Sequence, residues 1–191
     1  MTAVHSSHLV LGGARSGKSR YAVEQAAQSG SRVAFLATAR ALDGDMAARI
    51  ARHRAERPAR WPTLEEPHDL VGACRRAATA HDLVLVDCAT LWVANLMDRG
   101  DDDAAVLAAA EDLAKLQRER VVSLLIVSNE VGEGVHPSTA LGRRFRDLLG
   151  SVNQRLAAAA DRVTLMVAGL PVTVKDTPPP PARRDPTHEA P

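Results

Sequence analysis

Aromatic side chains are nearly missing from this chain of 191 residues, which has two Trp, two Phe and one Tyr, 3% of the total. A core with so few rings must rest on Leu, Val and Ala, and 46% hydrophobic residues leave ample material for one. Cysteine is also scarce. Cys74 and Cys88 have no metal-ligand spacing and read as reduced cytosolic thiols. Excess charge of either sign is lacking too. With 24 basic and 23 acidic residues the net charge is +1, which gives no case for nucleic acid or a membrane surface as partner. No stretch approaches the ~18 apolar residues of a membrane span, and the N-terminus has no apolar signal core. Internal repeats are absent. The expectation is one cytoplasmic domain, with or without appendages.

What is present is a phosphate loop. Gly12-Gly13-Ala14-Arg15-Ser16-Gly17-Lys18-Ser19 matches G-x-x-x-x-G-K-[ST]. The apolar Leu9-Val10-Leu11 before it reads as a buried strand. Ser19 to Gln28 reads as a helix, with Tyr21, Ala22, Gln25 and Ala26 at helical spacing. Glycines let successive N–H groups and the helix N-terminus face an anion. Lys18 can then reach the β- and γ-phosphates, and the Ser19 hydroxyl can ligate Mg²⁺.

Strands and helices alternate along the rest of the chain. Met1 to Ser7 reads as a frayed polar leader, Arg32 to Ala37 as a second strand, and Asp45 to about Glu56 as a helix capped by Asp43 and stopped at Arg57-Pro58. Arg57 to Pro67, punctuated by three prolines, reads as a loop. A helix over His68 to Thr79 precedes the buried strand Leu83-Val84-Leu85-Val86-Asp87, and a short helix covers Leu91 to Met97. Asp101-Asp102-Asp103 mimics a metal site but reads as solvated charge at the start of the helix Ala104 to Glu119. Val121 to Val127 is a strand, followed by the polar, glycine-rich Ser128 to Gly134. Ser138 to Ala160 is one long helix or a pair broken near Gly150. Val163 to Ala168 and Val172 to Lys175 form a hairpin joined at Gly169-Leu170-Pro171. This pattern predicts an α/β fold of the P-loop, RecA-like kind: a three-layer sandwich whose mainly parallel sheet carries an antiparallel edge hairpin. Residues 1–175 make the domain. Residues 176–191, with Pro178 to Pro181 in a row, read as a disordered tail.

Two further residues carry possible chemistry. Asp87, an acid closing an apolar strand downstream of a phosphate loop, suits Mg²⁺ directly or through water; it also suits a cap for the helix that follows. His53 shares a helix face with Met46 and Ile50. On spacing alone it is a partly buried structural histidine. Arg49, Arg52, Arg54 and Arg57 around it can hold phosphates and favour the neutral imidazole able to attack phosphorus; they also suit a solvated basic face. His5, His8, His68, His81, His136 and His188 read as surface or structural.

Taken together, GGARSGKS, ATARALDGDMAARIARHRAERP, LVLVDCATLWVANLM, SNEVGEGVHP and GSVNQRLAAAAD resemble the bifunctional adenosylcobinamide kinase/adenosylcobinamide-phosphate guanylyltransferases of cobalamin biosynthesis, from about His8 to Lys175. The resemblance implies two reactions. One phosphorylates adenosylcobinamide with ATP or GTP. The other moves GMP from GTP onto a histidine and then to the corrinoid phosphate, giving adenosyl-GDP-cobinamide. The family's guanylylated histidine falls on His53, and its nucleotide contacts fall on Gly12 to Ser19, on Ala37, Thr38 and Ala39, on Arg54, Ala55, Glu56 and Arg57, and on Glu65 and Asp87. Resemblance also implies a homotrimer. Without it the residues support a P-loop transferase or NTPase, and leave open a kinase of another small molecule, a GTP-binding switch (though Asn-Lys-x-Asp is absent) or a nucleotide-stabilised assembly.

Overall fold

A computed structural model describes residues 5–40, 44, 51, 52, 54, 55 and 57–177. The strands are β1 (Ser7–Gly12), β2 (Val33–Ala37), β3 (Thr63–Glu65), β4 (Leu83–Asp87), β5 (Ser123–Val127), β6 (Arg162–Val167) and β7 (Leu170–Asp176). The helices are α1 (Lys18–Gln28), α2 (Leu70–Ala78), α3 (Ala89–Arg99), α4 (Asp103–Glu119) and α5 (Ala140–Ala159). The strands form one sheet in the order β3-β2-β4-β5-β1-β6-β7. All neighbours pair in parallel except β6 and β7. The mainly parallel sheet and its edge hairpin are as the alternating pattern predicts.

Strand alternation sorts the core into two clusters. Leu9, Ala34, Leu36, Val84, Val86, Leu124 and Ile126 face α2, α3, α4 and α5. Val10, Val33, Phe35, Leu83, Leu85, Leu125 and Val127 face the other way, toward α1 and Trp61. Trp92 is the one ring among the described, fully buried residues of the larger cluster, and its indole N–H donates to the His68 carbonyl at 2.7 Å. Elsewhere in that cluster aliphatic side chains fill the interior, as the composition requires.

Local chemistry explains where the elements differ from the sequence reading. The loop expected over Arg57 to Pro67 contains β3, which pairs Thr63 to Phe35, Leu64 to Leu36 and Glu65 to Ala37. Pro62 and Pro67 lie just outside this ladder, where their missing N–H groups cost nothing. The helix after the fifth strand is single. Leu148, Leu149, Val152 and Leu156 carry one buried stripe past Gly150, so the glycine does not break it. The hairpin turns at Ala168 and Gly169, both with positive φ, and Leu170-Pro171 already belong to the edge strand.

The leader is not frayed over its described part. The Ser7 amide donates to Asp161, whose carboxylate also receives the Arg120 guanidinium, and Arg120 donates to the His5 carbonyl at 2.8 Å. The acidic triplet is spent structurally: Asp101 pairs with Arg99, Asp102 caps α4 by accepting from the Ala105 amide, and Asp103 pairs with Arg144. Gly44, Ala51, Arg52, Arg54 and Ala55 are helical and exposed. His53, Glu56, Arg49, the cap Asp43 and residues 178–191 of the expected tail lie outside the described residues, whereas Asp176, expected in that tail, closes β7 opposite Arg162.

Candidate functional site

The site is built at the carboxyl ends of the parallel strands. β1 delivers the chain into Gly12 to Ser19, and α1 starts within it at Lys18. Two glycines are steric necessities. A Cβ on Gly12 would lie 2.5 Å from the Ser16 hydroxyl and 2.8 Å from the Met166 carbonyl. Gly17 has φ 91°, the left-handed conformation that side chains resist. The Gly169 amide donates to the Ser16 carbonyl at 3.1 Å, so the edge hairpin is bonded to the loop. Lys18 folds back to donate to the Gly13 carbonyl at 3.0 Å. The Ser16 hydroxyl is buried and, among the described residues, has no hydrogen-bond partner.

Asp87 ends β4, which is separated from β1 by β5. It is not the cap of α3: Cys88 takes that position, and no side chain caps the helix. The Thr38 hydroxyl accepts from the Cys88 amide and donates to the Cys88 carbonyl, both at 2.8 Å, while the Thr38 amide donates to the Asp87 carbonyl. Asn95 donates to the Thr38 carbonyl from α3. The backbone that carries the Asp87 carboxylate is thus fixed by a buried clamp between the ends of β2 and β4.

Arg15, Ser16, Ser19, Phe35, Asp87 and Gly169 are among the residues lining one cavity of about 700 Å³. The Arg57 guanidinium lies 3.7 Å above the Phe35 ring, and its Nη1 donates to the Thr63 hydroxyl at 3.4 Å. Burial pulls the Arg57 pKa down; the Asp87 charge opposes this and Arg54 adds to it. Among the expected site residues, the phosphate loop and Asp87 therefore share a cavity, with Arg57 in the field of Asp87. Thr38 is wholly buried, and its hydroxyl is spent on Cys88. Ala37 and Ala39 flank it, half-buried. Glu65 is exposed on β3 and lines a separate hollow with Glu66 and Arg76. Arg54 and Ala55 are exposed. Phe35 and the hairpin turn at Ala168-Gly169 were not visible as site residues in the sequence. Only pairing and packing bring them there.

Ser19 and Asp87 offer Mg²⁺ a hydroxyl and a carboxylate, hard oxygen donors of the kind it prefers. No group of three or more His, Cys, Asp or Glu that could hold a metal ion occurs among the described residues. The thiols are inert. Burial pushes Cys88 up to about 11 and Cys74 up to about 12. His8 is neutral, drawn down to about 4 by burial and then by Arg162, with Asp176 opposing. It is held by Thr164 at 2.8 Å, with the Tyr21 ring edge-on.

A glycine loop joining a parallel strand to a helix, with an acid closing the next strand but one, defines a P-loop nucleotide-binding α/β protein. Solved structures agree on the fold. An ATPase of the type III secretion system of pathogenic bacteria superposes with a TM-score of 0.57 at 13% identity, covering 88% of this chain and 56% of its own. A second solved ATPase domain gives 0.51 at 13% identity, with 84% of this chain and 69% of its own covered. Sequence is more specific. The chain belongs to the cobinamide kinase/cobinamide phosphate guanyltransferase family, whose model matches residues 8–174. It is 48% identical to the bifunctional adenosylcobalamin biosynthesis protein CobP of Pseudomonas aeruginosa, over 89% of this chain and 98% of that protein. CobU of Escherichia coli, of the same description, is 40% identical over 87% and 98%. CobU of Salmonella typhimurium is 42% identical over the same shares.

Proposed function

We propose that this protein phosphorylates adenosylcobinamide with ATP or GTP, and then transfers GMP from GTP to the resulting phosphate. The observation that carries the reading is the shared cavity of the phosphate loop and Asp87 in a chain of this family. In the kinase step the loop amides and Lys18 hold the triphosphate, and the orphaned Ser16 hydroxyl gains an acceptor in a phosphate oxygen. Ser19 and Asp87 would hold Mg²⁺, which neutralises phosphate charge when bound. Arg57, near Asp87 and stacked on Phe35, supplies a fixed positive charge beside the phosphates. Arg54, Ala55, Glu56 and Glu65, with Ala37 to Ala39, complete the nucleotide contacts on family resemblance.

For guanylyl transfer the nucleophile is His53. An imidazole nitrogen forms a bond to the α-phosphorus as the bond to pyrophosphate breaks; the corrinoid phosphate oxygen then displaces the histidine. The arginines beside it in the sequence can hold the phosphates. Residues 1–175, with Asp176 at the end of β7, act as the catalytic domain, and the remainder of 176–191 is a tail outside it. The protein works as a cytoplasmic homotrimer without nucleic acid, and no helix among the described residues is long and apolar enough to cross a membrane.

The test is incubation with α-labelled GTP and Mg²⁺, followed by denaturation. Acid-labile label should remain on the wild type and be absent from His53→Ala. Label on the variant would remove His53 from its role. Unlabelled wild type that still phosphorylates cobinamide would reduce the protein to a kinase.

A further inference from the structure

The loop after β5 contains a buried polar circuit that nothing above uses. The Asn129 amide donates to the Thr90 hydroxyl at 2.6 Å, and the Asn153 side-chain amide donates to the Asn129 carbonyl at 3.0 Å. The Ser128 hydroxyl donates to Asn153 Oδ1 at 2.7 Å, so its single proton is spent; Thr90, 3.3 Å away, must therefore donate to Ser128. The circuit thus leaves the peptide of Asn129 and returns to it through α3 and α5. Thr90, Ser128 and Asn153 are all buried. Satisfied buried networks of this kind fix one conformation. Everything in this one converges on the backbone of Asn129.

The direction of the residue follows from the ladder. The Ser128 amide donates to the Val10 carbonyl, and the Glu130 amide donates to the Gly12 carbonyl, the first residue of the phosphate loop. This continues the parallel pairing of β5 with β1 two residues beyond the strand, so side chains still alternate. Ser128 falls on the face of Leu124 and Ile126, as its bonds to α3 and α5 require. Asn129 falls on the face of Leu125 and Val127, the one carrying α1. Here β5 lies between the strand that delivers the loop and the strand that ends in Asp87, whose Cα pairs with Val127. The side-chain amide of Asn129 has no hydrogen-bond partner among the described residues.

We propose that Asn129 is a catalytic residue of γ-phosphoryl transfer, its side-chain N–H groups donating to a non-bridging oxygen of the γ-phosphate between Lys18 and Asp87, with Thr90, Ser128 and Asn153 as its positioning residues. This rests on the nucleotide site described under the proposed function. As the acceptor hydroxyl oxygen bonds to the γ-phosphorus, the bond to the bridging oxygen breaks and its electron pair leaves with the nucleoside diphosphate. The hydroxyl proton passes to the transferred phosphoryl group and then to water. Charge on the equatorial oxygens is what a fixed amide stabilises. The α-phosphate is not its target, so GMP transfer to the protein should not need it.

The experiment compares wild type, Asn129→Ala and Asn129→Asp on three readouts: kcat and KM for cobinamide phosphorylation, single-turnover release of γ-phosphate to water without corrinoid, and protein labelling by α-labelled GTP. Loss of one preorganised donor should lower both γ-transfer rates by about 10²–10³-fold. KM for nucleotide, the melting temperature and the labelling yield should stay near wild type. Asn129→Asp, which repels the phosphate, should be no faster than Asn129→Ala. Unchanged γ-transfer overturns the inference, and so does a parallel loss of all three readouts or of the melting transition, since that marks a structural residue. If wild type releases γ-phosphate but leaves cobinamide untouched, the proposed function fails while water release still decides the part of Asn129.

Discussion

The amide of Gly169 donates to the carbonyl of Ser16 at 3.1 Å, so the turn of the edge hairpin is bonded directly to the phosphate loop. Met166, on the same hairpin, comes close enough to Gly12 that there is no room for a side chain between them. The loop's shape is therefore set as much by β6 and β7 as by its own glycines.

Gly12→Ala should accordingly hurt binding more than folding. Its methyl group would push into both Ser16 and the Met166 carbonyl, and overpacking of this kind costs about 1–3 kcal/mol. Titration calorimetry with GTP should show affinity lowered by about tenfold or more, the equivalent of ~1.4 kcal/mol, alongside a modest fall in melting temperature. Wild-type affinity would mean the loop can reshape freely.

Thr38→Val keeps the volume of the side chain and removes the hydroxyl that holds both polar groups of Cys88. A buried N–H left unpaired costs about 1–3 kcal/mol. Urea denaturation should read that loss as a lower midpoint with an unchanged slope. Because Cys88 follows Asp87, metal-dependent turnover should fall as well. A variant as stable and active as wild type would refute the clamp.

Gly150→Ala should stabilise. The residue sits in mid-helix, and an added Cβ meets nothing within 4 Å. Removing glycine's freedom in the unfolded chain is worth roughly 0.5–1 kcal/mol, visible as a raised melting temperature. A fall would show that the helix needs a break there after all.

His8 makes stability depend on pH. Its folded pKa, about 4, lies below its ordinary value of 6.5, so the unfolded chain binds the extra proton first. Its stabilising effect is complete above pH 6.5 and is lost as pH falls toward 4, by up to about 3 kcal/mol. His8→Gln, which can keep the bond to Thr164, should flatten the urea midpoint over that window. An equal slope in the variant would assign the effect elsewhere.

Residues whose partners are near in sequence were readable without coordinates. The phosphate loop, the strand ending in Asp87 and the edge hairpin each announce themselves within a dozen residues, through glycine spacing or apolar runs. β3 did not, because three residues between prolines have no periodicity, and only the edge of β2 makes them a strand. Gly150 left a single helix and a broken pair both open, and the structure decides for the single helix because a stripe of leucines and valines overrides one residue's preference. Phe35 is one residue of a strand in the sequence, and only the Arg57 guanidinium over its ring marks it as part of the site. Asn129 looked like one polar loop residue among several. What marks it is the convergence of Thr90 and Asn153, 39 and 24 residues away.

The uneven covering of the sheet has a consequence for how such a chain can change over time. Between β2 and β3, the only described residue in either core cluster is Trp61. The described helical residues of that stretch, Gly44, Ala51, Arg52, Arg54 and Ala55, are exposed and draw little on the interior that keeps the protein folded. Substitutions there can be accepted or rejected on chemistry alone, while the leucine-rich back wall under α4 and α5 answers to stability. Chemistry carried by such exposed positions could be acquired, tuned or discarded without rebuilding the scaffold beneath them.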